Sequence, residues 1–545
     1  MDVDMDAPFS GLISPAHRAL SIQEISLLIC SYFGSQDYQD ARTLFNIAHT
    51  FKGFCRPALS VLWSHTRSFL SLVQLLPSDC WEDQGSIADV ALVMKREPTL
   101  ADCSRVAFYA SFIRKFSYRP GQDLAVDVGF LRAFAALFPP PTLFHCVREV
   151  DWEATDNETF HYLGLFLGPQ LDVLTVDFEP FDEARLTMFH QLDACPNLRD
   201  VSLHNTDSVE QVAALSNVIT RWRHLTAVDI QAITTDTFIH LSSLPSFSTL
   251  KLATLEGIDC DSVKSRINSD AAFANLDVLD VNSADAEASC KILQLTKFAV
   301  STVSFFLSKP YTGIAWNAVM NVVKDQCYPM KVTSLFVEDS YEDLSEEQLE
   351  PSMIPNDTLN ILFTFQNITD VSLVSTYGFV ADDALILKFA KTLSNLKQLR
   401  LLTGRIYEHT TPKITLDALL SFARHSRHLD SLGLVFNAQG AQLPRHTSFH
   451  SENLICPITK LSVAHSPIQN SVAVAGILSD WFPKLRSIDS YDPQEGIPYR
   501  TQRASIWSRA NQLIGVLAKV RAQERNSGIA EEDVSHSFND EANAA

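Results

Sequence analysis

The hexapeptides LDVLTV at 171–176, LRDVSL at 198–203 and LTAVDI at 225–230 decide the fold. Each has apolar residues at its first, fourth and sixth positions. The spacing recurs as VREVDW (147–152), FSTLKL (247–252), LDVLDV (276–281), VSTVSF (300–305), VTSLFV (332–337), ITDVSL (368–373), LKQLRL (396–401), LDSLGL (429–434) and ITKLSV (458–463), and in degraded form as LRSIDS (485–490). The middle apolar residue moves from Val150 to Ile488 in twelve steps, a mean period of about 28 residues with steps from 22 to 36. Polar and apolar residues alternate at the end of each hexapeptide, which predicts a strand with one face buried and the other wet. Segments between them, such as 182–195, 208–222, 381–396 and 415–425, carry helical spacing.

A strand and a returning helix at this period are the mark of a leucine-rich repeat. The fully buried strands of an ordinary doubly wound α/β sheet read instead as continuous apolar runs, and such a sheet rarely supplies thirteen strands. The expected fold is therefore α/β, a small three-helix module followed by a curved leucine-rich-repeat solenoid with parallel strands inside and helices outside. The expected boundaries are a disordered acidic N-terminus (1–17), the helical module (18–77), a linking segment with a degenerate first repeat (78–140), the solenoid (141–498), a capping helix (499–526) and a disordered acidic tail (527–545).

In the module, Ser21 and Glu24 fit a capping box, and Ile22, Ile25, Ile29 and Phe33 follow at helical spacing before Gly34. A second helix fits 37–51. A third fits 56–66, with Pro57 in its first turn. Three short helices make a core too small to stand alone, so the module is expected to be completed by burial against something else. At the other end, 501–525 spells an amphipathic helix with Ile506, Ala510, Leu513, Ile514 and Leu517 on one side, fit to cover the last repeat.

The 545 residues hold 43 Lys plus Arg against 64 Asp plus Glu, a net charge of −21. That balance argues against non-specific binding to nucleic acid or to an anionic membrane. The first ten residues hold three Asp and no Lys or Arg, the opposite of a secretory leader. The apolar run 20–33 is too short to span a bilayer. The ten cysteines include no CxxC pair and read as reduced, mostly buried thiols of a cytoplasmic or nuclear protein. Sequons at Asn157, Asn356 and Asn367 are therefore expected to stay unmodified.

Catalytic patterns are absent: the sequence holds no GxSxG, HExxH, Walker loop or GxGxxG. His425 and His428, flanked by Arg424 and Arg427, read as a solvated helix end and not a metal site. The run 338–350 contains seven acids without calcium-loop spacing and reads as an exposed acidic insertion. No enzyme activity, cofactor or metal is expected.

LSIQEISLLICSYF (20–33) followed by LFNIAHTFKGFCRPALSVLW (44–63) resembles an F-box. It is most similar to the F-box proteins of mushroom-forming fungi, which place leucine-rich repeats after the F-box. SLVQLLPSDCWE and PTLADCSRVAFYASFIRKFSY (98–118) match the way such proteins pass into their repeats. A Pro common before the Glu is Gln23 here. The resemblance implies a non-enzymatic substrate-recognition subunit of an SCF-type cullin–RING ubiquitin ligase, whose F-box binds the adaptor and, through it, a cullin. Leu20, Ile22, Ile25, Leu28, Leu44 and Trp63 are the candidates for burial on the adaptor, with about half expected to fill the module's own core. A repeat scaffold without a ligase role is the alternative, separated by adaptor co-purification.

Residues flanking the apolar positions of each strand face the concave side. In the first six repeats these include Glu149, Asp151, Glu153, Asp177, Asp200, Asp229, Asp280 and Lys251. In the seventh and eighth they become Phe306, Phe336 and Glu338. The substrate expectation is a basic protein segment received by the acids, with the two Phe as anchors. The competing view is that the acids only keep the sheet soluble.

Overall fold

The computed structural model describes residues 19–20, 22–34, 37–84, 92–119, 126–153, 156–178, 183–205, 208–254, 257–267, 272–283, 286–307, 312–339, 353–403, 411–442, 456–490, 502–517, 519–520 and 523. The chain divides into two compact units, 1–247 and 248–545. The disordered ends expected from the sequence, the capping-box residue Ser21 and most of the acidic run lie outside the described residues.

The first unit opens with helices α1 (Gln23–Ser31), α2 (Tyr38–Thr50) and α3 (Lys52–Leu62). Ile22 caps α1 without a side-chain hydrogen bond. Asp37 caps α2 properly, accepting from the N–H groups of Gln39 and Asp40 at 2.9 and 3.1 Å. Helix α3 starts four residues earlier than the sequence suggests, so Pro57 lies in its interior and not in its first turn. Cys30, Leu44 and Ala58 form the module's core, with Phe33, Ile47, Phe54 and Leu62 packed against it.

Strand β1 (His65–Thr66) follows α3 at once. After a hairpin of β2 (Trp81–Asp83) and β3 (Leu92–Met94) comes β4 (Lys115–Tyr118), which pairs with β1 in parallel. Strands β5 (Glu149–Glu153), β6 (Val173–Asp177), β7 (Asp200–His204) and β8 (Ala227–Ile230) extend this sheet one neighbour at a time, all parallel. The sheet thus begins inside the segment expected to be purely helical. In these first turns aromatic rings replace the repeat leucines. Phe69, Phe116, Phe144, Trp152 and Phe166 are all buried, and the stacked Phe144 and Phe166 rings lie 4.2 Å apart.

The second unit continues the pattern with β9 (Thr249–Leu252), β10 (Val278–Ser283), β11 (Thr302–Leu307), β12 (Ser334–Asp339), β13 (Asp370–Ser375), β14 (Gln398–Thr403), β15 (Ser431–Leu434), β16 (Lys460–Ser462) and β17 (Ser487–Asp489). Each strand pairs in parallel with the next. The fold is α/β, with parallel strands as one layer of each repeat and helices as the other.

Each of the thirteen hexapeptides holds one strand, beginning at its third residue. The first apolar residue, such as Leu171, Leu198 or Leu225, is buried just ahead of the strand. The residue after it turns its carbonyl to the next repeat and accepts two N–H groups. Arg148 O takes those of Asp172 and Val173 at 2.8 and 2.9 Å, and Asp277 O takes those of Ser301 and Thr302 at 2.9 and 3.0 Å. This fork recurs from repeat to repeat within each unit and fixes register there. Within strands burial alternates: Val173 and Thr175 are half-exposed while Leu174 and Val176 are buried.

The C-terminal helix covers 502–517. Trp507, Ala510 and Ile514 are fully buried, whereas Ile506, Leu513 and Leu517 are only half-buried. The Trp507 indole donates to Ser466 O at 2.9 Å, and Asn511 Oδ1 accepts the Ile488 N–H of the last strand at 2.9 Å.

Candidate functional site

Two surfaces hold the residues singled out by the sequence. The first lies on the helical module. The side of α1 turned inward carries small residues, Ser26 and Cys30, both fully buried. The Ser26 hydroxyl is satisfied by donating to Leu20 O at 2.6 Å. The larger apolar side chains point outward. Ile22, Ile25 and Leu28 are exposed, Leu28 by 59%. Leu27, Tyr32, Tyr38 and Phe45 join them as exposed residues that the sequence analysis missed, with Tyr32 at 81% and Phe45 at 55%. Their signal was partly present: in an apolar helix the small residues Ser26 and Cys30 lie four apart on the inward side, although Ser31, also small, is exposed.

The other three candidates are placed differently. Leu20 is half-buried. Leu44 is fully buried in the module's own core, so it is not a surface residue. Trp63 is half-buried against Tyr109, with ring centroids 4.7 Å apart.

The second surface is the open side of the sheet. In the first unit its acids are engaged internally. Glu149 pairs with Lys115, and Asp151 with Arg119 at 2.9 Å. Asp177 accepts from the Asn205 amide at 2.6 Å, and Asp200 accepts from the Thr226 hydroxyl. Asp229 lies half-exposed on β8, in register with Ser202 of β7. The register spreads these acids over three rows, Glu149 with Asp200, Asp151 with Asp229 and Glu153 with Asp177, and most of them already have partners within the unit.

Asp280, Phe306 and Phe336 belong to the second unit. There Asp280 is in register with Ser304, and Ser304 with Phe336. The next row runs Asn282, Phe306, Glu338 and Val374 across β10 to β13, then Leu402 on β14. Beyond Glu338 this row turns apolar: Val374, Leu402, Val435 and Ala464 form a buried cluster. Glu338 sits between Phe306 and Val374 on its row and two residues along the strand from Phe336. Glu338 is exposed, yet partial desolvation pushes its carboxyl above the usual range, and the Arg400 charge opposes the shift.

The next residue corrects the expected exposed insertion at its start. Asp339 is fully buried. The strand alternation continues one step further than the repeat motif, so Glu338 faces out and Asp339 faces in. His425 and His428 are exposed, as a solvated helix end requires. Of the sequon residues, Asn157 accepts from Arg185 and Asn367 donates to Met330 O. Among the described residues no group of side chains has the makings of a metal site, and no helix is long and apolar enough to cross a membrane.

No family model matches the chain, and no curated protein does. Among solved structures it is similar to a chain of the yeast Rad7 and Elc1 complex, with 13% identity over 62% of this chain and 81% of that one and a TM-score of 0.32. A likeness that distant carries no functional argument.

Proposed function

We propose that this chain is the substrate-recognition subunit of an SCF-type cullin–RING ubiquitin ligase. Helices α1 and α2 bind the ligase adaptor, and through it a cullin, while the repeats bind a protein substrate. The observation that carries this reading is the inverted helix α1, with small residues buried and Ile22, Ile25, Leu27, Leu28 and Tyr32 in water. A fully exposed large apolar side chain forgoes roughly 1.5–3 kcal/mol of burial, and contiguous exposed apolar patches mark interaction sites. The F-box resemblance covers the same residues and supplies the kind of partner.

On this reading the chain has no chemistry of its own. It holds the substrate near the transferring machinery, which raises the rate through effective concentration. The compartment that fits is the cytoplasm or the nucleus. Co-expression with an SCF adaptor followed by size exclusion tests the proposal: the two co-elute, and Ile25→Asp separates them while leaving the melting curve in place. Soluble, folded wild-type chain that never co-elutes with the adaptor favours the scaffold alternative.

A further inference from the structure

Phe306, Phe336 and Glu338 meet at one place on the open sheet of the second unit. Phe306 on β11 is the register partner of Glu338 on β12, so their backbones are about 4.8 Å apart. Phe336 precedes Glu338 by two residues and shares its face, about 6.6 Å along the strand. One group above the sheet therefore reaches both rings and the carboxylate. Phe306 is 38% exposed, so its ring is open to a ligand. Phe336 is half-buried.

The chemistry of the triangle is specific. Aromatic faces attract cations through their quadrupole. The Glu338 carboxylate is exposed and makes no hydrogen bond or ion pair among the described residues. An exposed carboxylate beside two aromatic rings offers a cation a charge-assisted hydrogen bond together with the ring faces. Arg400 does not fill that place. It lies two strands away, in register with Ser372 of β13, and its stem passes over Gly433, where an added Cβ would meet Arg400 Cγ at 3.1 Å.

We propose that Phe306, Phe336 and Glu338 form a subsite for one positively charged side chain, Arg or Lys, of a protein bound on the open sheet face of the second unit. This deepens the receptor reading and rests on it for the identity of the occupant as a protein. It does not need the adaptor: peptide binding is measured on this chain alone and adaptor binding on α1 variants, so one fails without the other.

The test uses the full chain and two immobilised biotinylated decapeptides, alternating Gly-Arg and alternating Gly-citrulline. Citrulline keeps the shape of arginine and discards its charge. The wild type prefers the Arg peptide by about tenfold or more. Glu338→Gln and Phe306→Leu each bring the two peptides close to parity, the second because it keeps apolar bulk but loses the ring. Glu210→Gln, an exposed helix acid of the first unit, makes the same change in net charge and leaves the preference intact. Absence of the preference in the wild type, its retention in Glu338→Gln, or an equal drop in Glu210→Gln overturns the assignment. Melting curves check each variant. If Glu338→Gln is unfolded, Phe306→Leu decides the matter alone.

Discussion

The Trp316 indole donates to Oδ2 of Asp339 across 2.8 Å, and both side chains are fully buried. Ser375 Oγ donates to the same oxygen at 3.1 Å and the Thr376 N–H to the other at 2.6 Å. One carboxyl group thus satisfies three donors from β13, the residue after it and the helix Gly313–Gln326. Asp339→Ala leaves all three without an acceptor and is expected to cost about 3 kcal/mol, read as a lowered denaturant midpoint at unchanged slope.

The same carboxyl gives a pH dependence. Burial pushes the Asp339 carboxyl up, and the donors from Thr376, Trp316 and Ser375 only partly oppose this. Below the ordinary carboxylate value, about 4, both states hold the proton. Between that value and the raised one the folded state alone holds it, so its stability contribution is lost as pH rises through this window. Asp339→Asn does not titrate. The stability difference between wild type and this variant therefore shifts in favour of the variant as pH rises above about 4, and a difference independent of pH would contradict the shift.

Two substitutions one helix apart separate surface from core in the module. Leu28→Asp removes adaptor co-elution with a change of less than about 0.5 kcal/mol in stability, as for a surface site. Leu44→Ala empties a fully buried site and destabilises by about 2–5 kcal/mol. Equal melting curves for the two would mean that the module's inside and outside have been misassigned.

The C-terminal helix predicts a sharp contrast between truncations. Ending the chain after residue 500 removes Trp507, whose ring lies edge-on 5.9 Å from Phe436, and uncovers the last repeats. That form is expected to melt early or fall out of solution, whereas ending it after residue 526 leaves the melting curve unchanged. Trp507→Ala is expected to cost about 3–5 kcal/mol.

Cysteine labelling checks the burial map. Burial pushes the thiols of Cys195, Cys327 and Cys456 up to about 12, so they present no thiolate at neutral pH. Only Cys55, Cys146 and Cys260 are partly accessible. A brief maleimide pulse on the native chain is expected to add up to three labels, against ten in denaturant, counted by intact mass.

The repeat strands were legible because the three apolar residues that fix each one lie within six positions, close enough for a local pattern to carry them. Strand β1 was not. Its two residues, His65 and Thr66, have no apolar alternation, and only pairing with the distant Lys115 and Phe116 makes them a strand. Asp339 was hidden for a related reason. It sits in a run of acids that looks solvated, and its burial depends on donors 23, 36 and 37 residues away. The outward face of α1 was half legible: helical spacing groups Ile22, Ile25 and Leu28, but which side meets the core is settled by Leu44 and Ala58 on other helices.

The junction between α3 and β1 bears on how a bound assembly would behave in space. Only Trp63 and Ser64 separate helix from strand, and the Ser64 carbonyl already accepts the N–H groups of Arg114 and Lys115 at 2.9 and 2.8 Å. The repeat fork therefore clamps the module to the first sheet without a tether between them. A partner gripping α1 inherits a fixed bearing on the first unit's strands, as a tool bolted to a jig does. Reach is then set by the covalent and hydrogen-bonded geometry, and not by the random walk of a flexible linker. Lengthening this junction with a few Gly-Ser pairs would trade that aim for a cloud of orientations, even with every contact surface intact.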